Sequence, residues 1–174
     1  MTSTMRPPSE PRVTVVGAGS WGTAVASMVA ARVPTTVWAR RPEVADEIER
    51  DHTNEAYLPG LDLDPHLGAT SDLAEAAADA DVIVMGVPSH GYREVLASVA
   101  DAIPPSVPVL SLSKGIERDS LMRMTEVTAD VLTDHDRSVI GALSGPNLAR
   151  EIVAGQPAAT VIAIEDPQAA SELQ

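Results

Sequence analysis

An α/β fold with a doubly wound, mainly parallel sheet is predicted by three features of this chain. A β-branched run, Val13–Val16, ends in glycines spaced GxGxxG (Gly17, Gly19, Gly22). An apolar stretch of helical length follows it directly. Short apolar runs then alternate with helical patterns through the rest of the 174 residues. Continuous rather than alternating apolar strands are what helices on both faces of a parallel sheet require. Such a sheet is Rossmann-type, and ligands collect at the carboxyl ends of its strands.

The elements are expected in this order. Residues 1–11 carry Pro7, Pro8 and Pro11 and no apolar run, so they read as a disordered tail rather than a signal peptide. Residues 12–174 form one dinucleotide-binding domain, as the length allows. Residues 12–16 are the first strand. Residues 20–32 are a helix with Ser20 placed to cap it and Pro34 beyond its end. Residues 35–38 form the second strand, and Pro42 suits the first position of a helix reaching about Asp51. Residues 52–68, with Pro59-Gly60, Pro65 and Gly68, read as one long loop, a type that is often functional. A short alanine-rich helix over 73–78 starts at Ser71 or Asp72.

Residues 82–87 are the strongest buried strand, closed by Pro88-Ser89-His90-Gly91, and a helix runs from about Tyr92 to Ala100. A strand over 107–112 ends in Ser113-Lys114-Gly115, and Asp119 or Ser120 caps a helix to about Leu132. A strand over 138–143 ends in Ser144-Gly145-Pro146-Asn147 and leads into two helical turns reaching Ala154. A last strand spans 158–164. Asp166-Pro167 then reads as the cap and first residue of a helix that has barely begun at Gln174, which suggests a carboxy-terminal truncation.

Composition narrows the function classes. The net charge of −13 argues against nucleic acid or an anionic membrane as partner. With no cysteine there is no disulfide, thiolate zinc site or thiol nucleophile, which agrees with a cytoplasmic location. His52, His66 and His135 have no metal-ligand spacing and read as surface residues, so no metal site is expected. Aromatic residues make up 2% and phenylalanine is absent, leaving Val, Ile, Leu and Ala to build the core.

The strand ends carry the chemistry. Gly17 allows the tight turn, Gly19 lets a pyrophosphate approach the backbone, and Gly22 lets the helix sit close to the strand. The helix N-terminus then faces the phosphates. After the second strand the dinucleotide fingerprint calls for an acidic residue about 20 residues beyond the glycines, to hold a ribose hydroxyl. Arg40 and Arg41 stand there instead, with no acid before Glu43. Guanidinium groups attract a 2′-phosphate that a carboxylate would repel, so NADPH is expected to be preferred, with NADH still allowed. The alternative is that both arginines are solvated residues of a helix start. Ser89 reads as a cap and His90 as a helix-start residue rather than an acid or base. Lys114 either reaches into the crevice to hold a phosphate or carbonyl, or is an exposed turn lysine. Backbone N–H groups around Gly145 and Asn147 either form an anion nest or belong to a plain Gly-Pro turn.

Taken together, GAGSWGTA (17–24), WARRPE (38–43), NEAYLPG (54–60), VPSH (87–90), SKGIE (113–117) and SGPNLARE (144–151) resemble the N-terminal domain of bacterial NAD(P)-dependent glycerol-3-phosphate dehydrogenase. The resemblance runs through nearly the whole chain. It implies reversible reduction of dihydroxyacetone phosphate to sn-glycerol 3-phosphate for glycerophospholipid synthesis. It implies cofactor contacts at Ser20, Trp21, Arg40, Arg41, Lys114 and Ala149, beside the glycines, and substrate contacts at Lys114, Gly145 and Asn147. Many members of the family have Ser or Thr where Asn147 stands; an amide still donates a hydrogen bond. The family's proton-transfer lysine lies in a helical C-terminal domain, beyond residue 174, so no catalytic residue is assigned here. Without a positioned proton donor, acid–base catalysis loses about 10²–10⁴-fold, and little or no turnover is expected of this chain alone. A homodimer is expected only with that further domain. A ketopantoate- or 6-phosphogluconate-type dehydrogenase fits SKGIE and SGPN less well, and a methyltransferase fits the glycines and paired arginines less well. The reading from another class is a non-catalytic NAD(P)-sensing module.

Overall fold

A computed structural model describes residues 11–174. The tail expected over 1–11 therefore lies, apart from Pro11, outside the described residues. Seven strands form one sheet: β1 (Val13–Val16), β2 (Thr35–Trp38), β3 (Leu67–Thr70), β4 (Val82–Met85), β5 (Val109–Ser111), β6 (Ile140–Ser144) and β7 (Val161–Ala163). Their spatial order is β3-β2-β1-β4-β5-β6-β7, and every pairing is parallel except the antiparallel β6–β7. The chain builds outward from β1 to β3 and then returns to lay β4 on the other side of β1. That reversal opens a crevice between the carboxyl ends of β1 and β4.

Helices cover both faces. Against one lie α1 (Ser20–Ala30), α2 (Pro42–Asp51) and α6 (Ala149–Val153), packed on Val15, Val37 and Val84. Against the other lie α3 (Leu73–Ala78), α4 (Ser89–Ala97) and α5 (Met124–Val131), packed on Val16, Ile83 and Met85. Adjacent strand residues thus serve opposite cores, which is why β1 and β4 are apolar at almost every position. Thr14 is the buried exception, and its hydroxyl donates to Ala76 O at 2.5 Å. The chain closes with α7 (Pro167–Glu172), where Asp166 Oδ1 accepts from Ala169 N–H at 2.7 Å, as its Asp-Pro start predicts.

Several expectations are corrected. Ser20 does not cap α1: Gly19 holds the cap position, and the Ser20 hydroxyl donates to Tyr57 O at 3.2 Å. The expected loop over 52–68 contains the start of β3, hidden by the weak strand propensity of Leu-Gly-Ala-Thr. The Glu49 carboxylate accepts from Ala69 N–H at 2.6 Å on the strand's open edge. α4 starts at Ser89 rather than Tyr92, because extended Pro88 takes the cap position that Ser89 was expected to fill. α5 starts at Met124: neither Asp119 nor Ser120 caps it, since Ile116 and Arg123 pair first as an antiparallel bridge. Glu126 then reaches back to accept from Arg123 N–H at 2.8 Å.

β7 is antiparallel for a geometric reason. The five residues of α6 rise only about 7.5 Å, too little to carry the chain back to the amino ends of the strands. β7 therefore starts where β6 ends and runs the other way. His135 is also not a surface residue. It is buried, its Nε2 lies 2.9 Å from Val107 O, and burial pushes its pKa down. His52 is half-buried and ends α2 in the left-handed region at φ 52°.

Candidate cofactor and substrate cleft

A cleft of about 670 Å³ opens over the β1–β4 reversal. Its floor is the glycine turn. Gly17 has φ +119°, and a Cβ there would stand 2.9 Å from Gly86 C, at the end of β4. A Cβ on Gly22 would strike Gly17 O at 2.0 Å, so glycine lets α1 lie against the turn. Gly19 is different. Its backbone is ordinary extended chain (φ −75°, ψ 176°), and a Cβ would meet nothing within 4 Å. Neither conformation nor protein packing demands glycine there, and the open space above it suits a phosphate group against the backbone. The 11-residue α1 points its N-terminus at that space.

The walls bring most of the predicted residues together. Ser20 and Trp21 line the floor, Arg40 and Arg41 the end beyond β2, and Lys114, Asn147 and Ala149 the end beyond β5 and β6. Gly22 and Gly145 stand outside the lining. Gly22 supports the turn from behind, and Gly145 O accepts from Lys114 Nζ at 3.3 Å. Lys114, itself exposed, is thus linked to the loop after β6. The Asn147 amide gives one of its two N–H groups to Thr160 Oγ1, and its Oδ1 is buried without a hydrogen-bond partner among the described residues. His90 lines the cleft from the first turn of α4.

The arginines beyond β2 differ in support. Both are exposed, but the Arg41 guanidinium lies 5.8 Å from the centre of the Tyr57 ring and 3.8 Å from Glu43 Oε1, contacts that Arg40 does not make among the described residues. Tyr57 is a wall residue that periodicity did not single out, because it lies in a segment without helix or strand. Its signal was compositional: an aromatic beside Pro-Gly in a chain nearly devoid of aromatics. Glu94, on the next turn of α4, was likewise not anticipated.

Comparison with known proteins places this arrangement. Residues 12–170 match the family described as NAD-dependent glycerol-3-phosphate dehydrogenase N-terminus. The chain belongs to this family. A glycerol-3-phosphate dehydrogenase [NAD(P)+] of Sphingopyxis alaskensis is 53% identical over 163 residues, covering 94% of this chain and 48% of the relative. One from Mycobacterium avium is 50% identical over 166 residues, again 94% and 48%. The crystal structure of glycerol-3-phosphate dehydrogenase from Coxiella burnetii superposes with a TM-score of 0.85 at 28% identity, covering 94% of this chain and 50% of that one. The chain thus spans about half the length of the glycerol-3-phosphate dehydrogenases it matches. Among the described residues, no helix is long and apolar enough to cross a membrane.

Proposed function

We propose that this chain is the cofactor-holding half of a cytoplasmic glycerol-3-phosphate dehydrogenase that interconverts dihydroxyacetone phosphate and sn-glycerol 3-phosphate for glycerophospholipid synthesis. The observation that carries the reading is the open space above Gly19, a cap glycine that no packing contact demands, in one cleft with Lys114. When bound, the nicotinamide cofactor supplies or accepts the hydride. The residues of this chain hold and orient. The turn at Gly17–Gly19 and the α1 N-terminus take the pyrophosphate. Arg40 and Arg41 take a 2′-phosphate, which favours NADPH over NADH.

Lys114 places an ammonium at the junction of cofactor and substrate, where it steadies a phosphate or a polarised carbonyl oxygen. Gly145 and Asn147 orient the substrate, the latter with its side-chain amide. Ala149, at the start of α6, completes the cofactor wall. The proton donor for the developing alkoxide is expected in the remainder of a full-length enzyme, as are the contacts of a homodimer. The 174-residue chain alone therefore binds NADPH and turns over little.

Fluorescence titration of the purified chain with NADPH and NADH tests the binding half of the reading. Tighter NADPH binding supports it; equal or tighter NADH binding removes the role given to the arginines, and no binding of either removes the reading. Catalysed NADPH oxidation on adding dihydroxyacetone phosphate would show that this chain needs no further donor.

A further inference from the structure

We infer that Asn54 is a positioning residue that fixes the glycine turn to the Tyr57 wall and so sets the mouth of the cofactor cleft. This deepens the proposed cofactor role and rests on it. Asn54 lies outside the cleft lining and is fully buried. Its Nδ2 donates twice, to Ala18 O at 3.1 Å and to Thr23 Oγ1 at 2.9 Å. Ala18 sits between the first two glycines, and Thr23 lies in the helix just beyond the third. One amide therefore clamps both limbs of the junction between β1 and α1. Turning the amide over would set Oδ1 against Ala18 O, two acceptors face to face, so the orientation is determined.

The backbone of Asn54 carries the clamp outward. Its carbonyl accepts from Tyr57 N–H at 3.1 Å and Leu58 N–H at 2.7 Å, a turn that buries Leu58 completely and leaves Tyr57 half-exposed beside Arg41. Tyr57 O accepts from Ser20 Oγ at 3.2 Å, and Pro59 O accepts from Arg150 Nη1 at 3.3 Å. Residues 54–59, without helix or strand, thus run as a strap from the glycine turn past the arginine wall to α6. Asn54 Oδ1 is buried with no partner among the described residues, so this amide acts through its donors, which satisfy the buried Ala18 O and Thr23 Oγ1. What the amide provides is its two donors, and both end on the cofactor turn.

The test compares the wild-type chain with Asn54→Asp, Thr23→Val and, as a core truncation on the opposite face of the sheet, Val127→Ala. Aspartate keeps the shape of Asn54 but sets an oxygen against Ala18 O; valine keeps the shape of Thr23 and removes one acceptor. Two readouts are taken below the unfolding temperature of each variant: the Kd for NADPH, and amide exchange over residues 18–23 and 57–60 without cofactor. Asn54→Asp is expected to raise Kd at least tenfold and to speed exchange in both segments together. Thr23→Val shifts both in the same direction by a smaller factor, and carries the test by itself where Asn54→Asp does not fold. Val127→Ala lowers the unfolding temperature and leaves Kd within twofold. A Kd within twofold of wild type in both Asn54→Asp and Thr23→Val, or unchanged exchange over 18–23, overturns the inference. Failure of the wild-type chain to bind NADPH overturns the proposed function instead, and the exchange comparison then decides the clamp by itself.

Discussion

Arg93 grips Glu117 with a two-pronged hydrogen bond, Nε to Oε1 at 2.8 Å and Nη2 to Oε2 at 3.0 Å. Its third arm, Nη1, reaches Asp130 Oδ2 at 2.6 Å. One residue of α4 therefore pins both α5 and the loop that carries Lys114. Glu117 also accepts from Ser120 Oγ, and the loop backbone closes through Glu117 N–H to Met122 O at 2.9 Å. Gly115 at φ +100° and Leu121 at φ +60° complete a turn that the clamp holds in shape. Arg93→Lys keeps the charge but loses the fork. It is expected to raise the NADPH Kd of the chain about threefold to tenfold, up to one decade or about 1.4 kcal/mol, and to open residues 115–122 to limited proteolysis. Unchanged protease sensitivity would separate the clamp from the loop.

The same clamp predicts an acid response. Hydrogen bonding from Arg93, then from Ser120, holds the Glu117 pKa down from 4.5 to about 2. In the unfolded chain the carboxyl takes up its proton near 4.5; in the fold it stays ionised to about 2. The clamp's contribution is thus fully present above pH 4.5 and fades as pH falls toward 2. In Glu117→Gln, the fall in unfolding temperature across that range should be shallower than in wild type.

His135 predicts a second window at higher pH. Burial lowers its pKa from 6.5, so the unfolded chain binds the proton that the fold refuses. Stability is then complete above about pH 6.5 and declines as pH drops below it, the sign expected of a buried neutral imidazole. Its Nε2–H donates to Val107 O, so His135→Gln keeps a donor without a titrating group. The pH 7-to-5 decline in unfolding temperature should flatten in that variant; an unchanged slope would assign the decline to other groups.

What could be read from the chain beforehand follows from which interactions are local. β1, β4 and α1 were legible because their whole pattern is set by burial on both faces. α7 was legible because Asp166 caps it through neighbours three residues away. β3 was not, since a four-residue edge strand containing glycine draws its identity from β2 and from Glu49, both distant in sequence. The start of α5 was misplaced because Ser120 turned to Glu117 rather than to a helix N-terminus. In the cleft, residues that follow strands were legible from strand order alone. Tyr57 in the wall and Asn54 behind it entered only within the NEAYLPG segment, because the hydrogen bonds that join them to the turn and to Ser20 span 31 to 37 residues.

Gly22 and Gly19 should respond differently to alanine. Gly22→Ala drives a methyl group to within 2.0 Å of Gly17 O, where backbone rather than a flexible side chain must yield. It should cost about 3 kcal/mol or more in denaturant unfolding, at the upper end of overpacking. Gly19→Ala meets no protein atom, and only the weaker capping preference of alanine is lost, about 1 kcal/mol or less. Its cost should appear in cofactor binding, as a Kd for NADPH and NADH raised together. A Gly19→Ala chain that binds both cofactors normally would leave the open space above the turn without an occupant.

On the proposed reading Arg40 and Arg41 separate the two cofactors, because only one carries a 2′-phosphate. A charge-assisted hydrogen bond is worth about 1.5–3 kcal/mol, so losing one should weaken NADPH binding roughly 10- to 100-fold. NADH binding should stay within about twofold, since neither guanidinium has a phosphate to lose there. The two substitutions are not equivalent. Arg41 rests against Tyr57 and near Glu43, so Arg41→Ser also releases the ring and should disturb NADH binding more than Arg40→Ser does. Arg40 has no such tie among the described residues and should report the phosphate contact alone. Paired titrations of both variants with both cofactors decide the assignment: a parallel loss of NADH and NADPH in Arg40→Ser would mean that this side chain shapes the adenosine end of the cleft and does not select between the cofactors.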